Sequence, residues 1–173
     1  GGQMLTELKN FLSKEQVESL FDDSVQCLHR PDTGIFYFEL DNPIGVELGV
    51  DKRKYYAAPN VNLLDQRIRE YYKREFGKDI SCRRGARLIT YREGINCPWH
   101  NDFVTRGPQR ECSAILFLSD TESYTGGQLQ FKNHADPESE QGDLLVYSSD
   151  EVHGVTTVES GIRKVLVLFY HED

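Results

Sequence analysis

Three residues of this chain carry the donor types of a metal site: His100, Asp102 and His153. Two imidazoles and one carboxylate, with coordination positions left open, are typical of a catalytic non-haem Fe(II) centre. His100 and Asp102 are two residues apart, so a β-strand would direct both side chains to one face. We therefore predict that these three side chains bind one iron. A His-x-Asp pair alone is a weak signal, and a surface histidine beside an aspartate is the simpler interpretation without further context.

The segments around the three residues supply that context. Along the chain, in order, stand Arg87-Leu-Ile-Thr-Tyr91, Trp99-His100-Asn101-Asp102, Gly126-Gly-Gln-Leu-Gln-Phe131, His153-Gly-Val155 and Gly161-Ile-Arg163. This order of motifs resembles the 2-oxoglutarate and Fe(II)-dependent oxygenases, and within them the prolyl 4-hydroxylase-like branch. The resemblance covers residues 86–170, and the first 80 residues contribute no motif to it.

The resemblance implies a fold. It implies a mainly β protein with flanking helices (α+β), in which a double-stranded β-helix, jelly-roll or cupin-like, has N-terminal helices packed on one sheet. Residues 4–173 would form a single dioxygenase domain, with the core barrel at about residues 86–170. Gly1-Gly2-Gln3, ahead of Met4, are interpreted as residues added to the natural chain.

The resemblance also implies a reaction. Fe(II) would be the metal, 2-oxoglutarate the cosubstrate, O2 the oxidant and ascorbate the reductant that keeps the iron active. The products would be a hydroxylated C–H bond, succinate and CO2. Arg163 would bind the distal carboxylate of 2-oxoglutarate, because an unpaired guanidinium inside a barrel is costly, and Tyr91 would donate its hydroxyl to the same carboxylate. An internal ion pair for Arg163 and a packing role for Tyr91 are the alternatives.

Differences between this chain and related branches of the family bear on which reaction it is expected to catalyse. Animal prolyl hydroxylases carry lysine where Arg163 stands. The nucleic-acid demethylating branch has a second arginine six residues later, where this chain has Phe169, so that branch is disfavoured. Halogenases replace the metal-binding carboxylate by a small residue, whereas Asp102 fills that place here.

The substrate is open at this stage. A prolyl or other peptidyl residue is the first interpretation, and a free amino acid or small biosynthetic intermediate is the second. A non-catalytic sensor that binds metal and 2-oxoglutarate is the alternative from another class. The sequence predicts neither a substrate-binding residue nor an oligomeric state.

Composition bounds partners and location. The chain has 173 residues and a formal net charge of −8, which disfavours nucleic-acid partners. Without an apolar run long enough for a membrane span or a visible secretion signal, a cytoplasmic protein is expected, although a leader removed earlier would leave no trace. The cysteines lack CxxC spacing and are predicted to be thiols in a reducing compartment; they are Cys27, Cys82, Cys97 and Cys112.

Local patterns predict the remaining elements. A capping box at Ser13–Gln16 predicts a helix over about 14–23, and helical periodicity predicts a second over about 61–76, capped by Asn60 or Asn62 and ended by Gly77. Residues 33–50 are expected to be β, and the acidic loop 132–141 to be solvated.

Other polar residues are given background roles. Trp99 and Asn101 are expected to pack or line the rim, on the side of the strand opposite His100. His29, His134 and His171 are predicted to lie away from the metal. A solvated surface in lid or rim loops, where substrate contacts would arise, is expected for Arg53, Tyr55, Tyr56, Arg106 and Arg110.

Overall fold

The computed structural model describes residues 4–20, 35–38, 55–56, 59–82 and 85–173. Short strands dominate these residues, as the regular alternation of apolar runs and turns predicts. The strands are β1 (Leu5–Leu8), β2 (Ile35–Phe38), β3 (Tyr55–Tyr56), β4 (Ile80–Ser81), β5 (Ala86–Tyr91), β6 (Cys97–His100), β7 (Cys112–Phe117), β8 (Tyr124–Gly126), β9 (Leu129–Phe131), β10 (Leu144–Ser148), β11 (His153–Val155), β12 (Val158–Gly161) and β13 (Arg163–Glu172). The described helices are α1 (Lys14–Glu18) and α2 (Pro59–Phe76), with a 3-10 turn at Thr121–Ser123.

The strands form a large sheet and two small ones. The eight-stranded sheet has the order β1-β10-β7-β13-β5-β2-β3, with β4 paired to β13. Strands β6, β11 and β9 form a three-stranded sheet, and β12 pairs with β8. All these pairs are antiparallel except β2 with β3. This arrangement is the double-stranded β-helix that the family resemblance implies.

The large sheet separates two apolar clusters. On β7, Ala114 and Leu116 pack into a cluster with the helices, whereas Ile115 and Phe117 pack into the barrel interior. All six β7 residues are therefore buried. Burial on both faces explains why this strand is a nearly continuous apolar run, as predicted. The helices back one face of the large sheet.

The structure confirms most of the prediction for helix α2. It ends at Phe76, and Gly77 follows with a φ of 71° while its N–H donates to the Lys73 carbonyl at 2.9 Å. A left-handed glycine is the usual way to satisfy the last carbonyls of a helix. The predicted asparagine cap is wrong, because the helix already includes Asn60 and Asn62 and begins at Pro59. Proline suits a first helical position, since its missing N–H has no partner there anyway.

Helix α1 is shorter than predicted. The capping box is confirmed, with the Ser13 hydroxyl accepting from the Gln16 N–H and the Gln16 side chain accepting from the Ser13 N–H. The helix ends at Glu18 rather than near residue 23, and residues 21–23 lie outside the described part. Of the β structure expected over 33–50, β2 is confirmed, and the run at 46–48 lies outside the described residues. No helix in the described ranges has the length and apolarity to cross a membrane.

A stability prediction follows from the packing of α2. Ile68 is fully buried between the helix and the large sheet. Ile68→Ala should lower the free energy of unfolding by about 2–5 kcal/mol, because it removes buried methylene groups and leaves a cavity. Leu63→Ala on the same helix is the control, since Leu63 is 56% exposed. Urea unfolding of both variants measures this, and equal midpoints would contradict the packing described here.

Candidate metal centre

Neighbouring strands bring the three predicted metal-binding residues together. His100 ends β6 and His153 begins β11, and the two residues face each other in the antiparallel pair. Asp102 lies two residues beyond the end of β6. The expectation that one strand presents both His100 and Asp102 is therefore wrong in detail, because the loop after the strand turns the carboxylate inward.

The donor atoms of these side chains converge. The Nε2 atoms of His100 and His153 lie 3.5 and 3.6 Å from Oδ1 of Asp102. One donor atom from each residue lies within 4.8 Å of the others, and no other such cluster of His, Cys, Asp or Glu occurs in the described residues. This convergence fits a single metal ion held by all three residues.

Each imidazole is oriented by a hydrogen bond from its Nδ1 atom to a backbone carbonyl. The Nδ1 atom of His100 lies 2.8 Å from the Pro98 carbonyl, and that of His153 lies 2.9 Å from the Glu151 carbonyl. A carbonyl only accepts, so each Nδ1 carries a proton, which leaves Nε2 as the nitrogen that faces the centre. Such outer hydrogen bonds fix the tautomer and the ring direction of metal-binding histidines.

Asp102 is held equally firmly. The hydroxyls of Ser113 and Tyr147 donate to its Oδ2 at 2.7 and 2.9 Å. Its backbone N–H donates to the Ser149 carbonyl at 2.9 Å, and Arg110 donates to its backbone carbonyl at 3.2 Å. With Oδ2 occupied, Oδ1 is the oxygen that faces the two imidazoles.

Arg110, Ser113 and Tyr147 were not identified as site residues from the sequence. The expectation of a solvated surface is wrong for Arg110, whose guanidinium also lies 3.9 Å from the centre of the Phe169 ring. Ser113 and Tyr147 lie in apolar strands, where the sequence does not distinguish them from ordinary core residues. One usable signal existed: both share the inward parity of Ile115 and Leu145 on their strands.

The electrostatics favour a cation at this centre. Burial raises the pKa of Asp102, but the His100 and His153 imidazoles and the two hydroxyls outweigh it, and the pKa is lowered. Asp102, and then the Cys97 thiol, raise the pKa of His100 to about 10. Burial lowers the pKa of His153. The carboxylate thus attracts positive charge to the centre. A metal ion would have to displace the proton on His100 in order to bind there.

Arg163 lies inside the barrel beside a cavity. It begins β13, is 2% exposed, and faces Tyr91 of β5 in the sheet register. Its guanidinium carbon lies 4.9 Å from the centre of the Tyr91 ring. The buried Nη1 atom has no hydrogen-bond partner among the described residues. Burial is the main reason that the pKa of Tyr91 is raised to about 12, so its hydroxyl is a donor at neutral pH.

The cavity beside Arg163 has a volume of about 310 Å³. Its walls include Phe117 and Leu129 of the barrel interior and Gly127. A Cβ at Gly127 would meet the Arg163 side chain at 3.0 Å, so glycine keeps the space beside the guanidinium free. A buried cation with an unused donor and an adjacent cavity fits a ligand carboxylate. The observed residues therefore fit both an Fe(II) ion and a dicarboxylate cosubstrate.

The histidines predicted to lie away from the metal are not part of the His100–Asp102–His153 cluster where the structure describes them. His134 hydrogen-bonds Glu151 through Nε2, and His171 pairs with Ser81 across β13 and β4. His29 lies outside the described residues. In the described part, Cys82, Cys97 and Cys112 are thiols, as predicted; Cys27 lies outside it.

The rim residues divide into two groups. Trp99 and Asn101 are exposed next to His100, as expected, and the Lys132 ammonium lies 4.3 Å from the centre of the Trp99 ring. Arg106 is exposed in the following loop. Tyr55 and Tyr56 form β3 at the edge of the large sheet rather than a loop, which corrects the prediction. Arg53 lies outside the described residues.

Comparison with known proteins agrees with this centre. Residues 86–171 match the profile of the 2OG-Fe(II) oxygenase superfamily. The PKHD-type hydroxylase YbiX of Escherichia coli is 40% identical over an alignment of 83 positions, which covers 42% of this chain and 36% of that protein. The chain thus spans about a third of the length of the curated relatives it matches.

Solved structures extend the likeness to nearly the whole chain. The viral collagen prolyl hydroxylase of Paramecium bursaria Chlorella virus-1, in complex with 2OG, has a TM-score of 0.72 at 14% identity, covering 98% of this chain and 96% of that one. A prolyl hydroxylase of Trichoplax adhaerens, in complex with a peptide fragment of hypoxia inducible factor, has a TM-score of 0.69 at 15% identity, covering 97% and 83%. At 14% and 15% identity, these two structures are evidence of the fold alone. Together with the superfamily match and the geometry of the centre, they show that the chain belongs to the 2OG-Fe(II) oxygenase superfamily and has the fold of its prolyl 4-hydroxylase-like branch.

Proposed function

We propose that the protein is an Fe(II)- and 2-oxoglutarate-dependent dioxygenase that hydroxylates an unactivated C–H bond of a prolyl or other peptidyl residue. The convergence of the Nε2 atoms of His100 and His153 on Oδ1 of Asp102 carries the proposal. When bound, the iron and 2-oxoglutarate together would supply the oxidative chemistry, with release of succinate and CO2.

The chain's own residues would bind and orient the reactants. His100, Asp102 and His153 would occupy one face of the metal and leave the opposite face for cosubstrate and oxygen. Ser113 and Tyr147 keep Oδ2 of Asp102 engaged, so that Oδ1 stays directed at the metal position. Arg163 would bind the distal carboxylate of 2-oxoglutarate in a bidentate fork, and Tyr91 would donate its hydroxyl to the same group.

The two histidines differ in their access to solvent. The His153 side chain is 5% exposed, whereas that of His100 is 42% exposed. The centre is therefore closed toward the barrel interior and open on the His100 side. This opening suits a substrate that stays largely outside the barrel, such as a peptide. The peptide bound by the Trichoplax prolyl hydroxylase supports this choice over a free amino acid or small intermediate.

Turnover of the cosubstrate tests the proposal first. Purified protein with Fe(II), ascorbate and 2-oxoglutarate should release CO2 slowly without a substrate. A sensor module that binds the same ligands would release none. A mass-spectrometric screen of peptides, free amino acids and cell extract for a gain of one oxygen would then identify the substrate class. A hit confined to free amino acids would replace the peptide proposal by its alternative.

Asp102→Ala should separate metal binding from hydroxylation. Two imidazoles and a chelating cosubstrate are still able to hold the metal, but the missing carboxylate leaves a position open and raises the charge of the centre. We expect the absorption band of the Fe(II)–2-oxoglutarate chelate to persist while the hydroxylated product is lost. Undiminished product formation would remove Asp102 from the metal-binding set.

A further inference from the structure

A buried acid lies behind His153 and has no part in the proposed chemistry. Glu151 is 0% exposed. Its Oε2 accepts a hydrogen bond from Nε2 of His134, which lies in the loop after β9. Its Oε1 has no hydrogen-bond partner among the described residues. A buried carboxyl group with one unused oxygen is costly, and an apolar residue of similar size would often be as stable there.

The backbone around Glu151 directs two of the three proposed metal-binding residues. Residues 148–151 form a turn in which the Glu151 N–H donates to the Ser148 carbonyl at 3.1 Å. The Ser149 carbonyl accepts from the Asp102 N–H at 2.9 Å, and the Glu151 carbonyl lies 2.9 Å from Nδ1 of His153. Any rotation of this turn would move both carbonyls and, with them, the directions of Asp102 and His153.

The His134–Glu151 contact is a side-chain restraint on that turn. His134 belongs to a mostly exposed loop, but its ring packs edge-on to Phe131 with centroids 6.3 Å apart. Phe131 in turn lies over His153 at 5.4 Å. The Lys132 N–H also donates to the Val152 carbonyl at 2.9 Å. The loop after β9 therefore contacts the turn through His134 and the residue that follows the turn, Val152, through its backbone.

We infer that Glu151, fixed by His134, is a positioning residue that orients His153 for metal binding. The inference rests on the proposed function, since it concerns the same centre. It assigns a purpose to the buried acid: the pair fixes the carbonyl that sets the tautomer and direction of His153. Outer hydrogen bonds of this kind commonly change metal affinity by about ten- to a hundredfold.

Cobalt(II) binding to the apoprotein tests the inference without relying on turnover. Titration followed by the visible absorption of Co(II) gives both an affinity and a spectrum that reports the ligand geometry. Glu151→Ala should weaken Co(II) binding by about ten- to a hundredfold. Glu151→Gln keeps the volume and an acceptor for His134 and should restore most of the affinity. His134→Ala should weaken binding in the same direction, and combining it with Glu151→Ala should add little, because the two residues act as one unit.

A second buried acid provides the matched control. Asp65 is 2% exposed and accepts from the Tyr170 hydroxyl at 2.7 Å, in the core between α2 and the large sheet. Asp65→Asn should lower stability without changing the affinity or the spectrum of bound Co(II). A comparable loss of affinity in Asp65→Asn would mean that general destabilisation weakens the centre, which would overturn the inference.

The remaining outcomes are also decisive. Parent-like Co(II) binding by folded Glu151→Ala would overturn the inference while leaving the proposed function intact. If Glu151→Ala does not fold, parent-like binding by His134→Ala, a partly exposed site, would do the same. A parent protein that binds no Co(II) at these three side chains would remove the metal centre itself, and the proposed function and the inference would fail together.

Discussion

His153→Ala should abolish turnover while the protein remains folded. His153 begins β11 and supplies one of only two imidazoles in the cluster, so its loss leaves one imidazole and one carboxylate to hold the metal. Iron affinity should fall together with the rate of CO2 release. The free energy of unfolding should change by no more than a typical substitution, about 0.5–3 kcal/mol, because β11 keeps its ladder to β6 and β9.

The control for this prediction is another histidine. His171→Ala changes a histidine near the end of β13, outside the cluster, and should leave turnover and iron affinity unchanged. Iron content by metal analysis, CO2 release and urea unfolding measure the three effects separately. Unfolding of His153→Ala would show that His153 is a structural residue. Full activity in a folded His153→Ala variant would remove it from the metal centre.

The barrel core was predictable because alternate residues of its strands face opposite sides of the sheet. Val165 and Val167 face the barrel interior and Leu166 faces the helices, so β13 is apolar on both faces. The same period of two places Arg163 on the interior face, as observed. The proximity of His100 and His153 was predictable only through the resemblance, because 52 intervening residues carry no local signal for their pairing.

Other features depend on contacts that no local pattern encodes. Asp102 was expected on the same strand as His100, but β6 ends first, and the loop is held by the Ser149 carbonyl and by Arg110. The Glu151–His134 contact joins the turn after β10 to the acidic loop 132–141, which was predicted only to be solvated. Strand β1 was not predicted, since four residues are too few to show a period. Long-range partners decide each of these cases, and sequence spacing alone does not show them.

Arg163→Ala should raise the KM for 2-oxoglutarate strongly and leave kcat nearly unchanged. The guanidinium would contact the distal carboxylate, which stays bound and unchanged while the reaction proceeds elsewhere on the cosubstrate. An interaction made equally in the ground and transition states appears in KM rather than in kcat. A charge-assisted bond of this kind is worth roughly 1.5–3 kcal/mol, which corresponds to a rise in KM of about ten- to a hundredfold.

Two comparisons make the Arg163 prediction specific. Arg163→Lys should recover part of the affinity, because a point charge replaces the planar fork that grips both carboxylate oxygens. Arg106→Ala, at an exposed arginine, should change nothing. A cosubstrate analogue without the distal carboxylate should bind the parent poorly, yet lose little more on Arg163→Ala, since the partner of the missing group is already gone. An unchanged KM for 2-oxoglutarate in Arg163→Ala would show that the unused Nη1 donor binds another ligand. That result would contradict the assignment of Arg163 to the cosubstrate, but it would not affect the proposed metal centre.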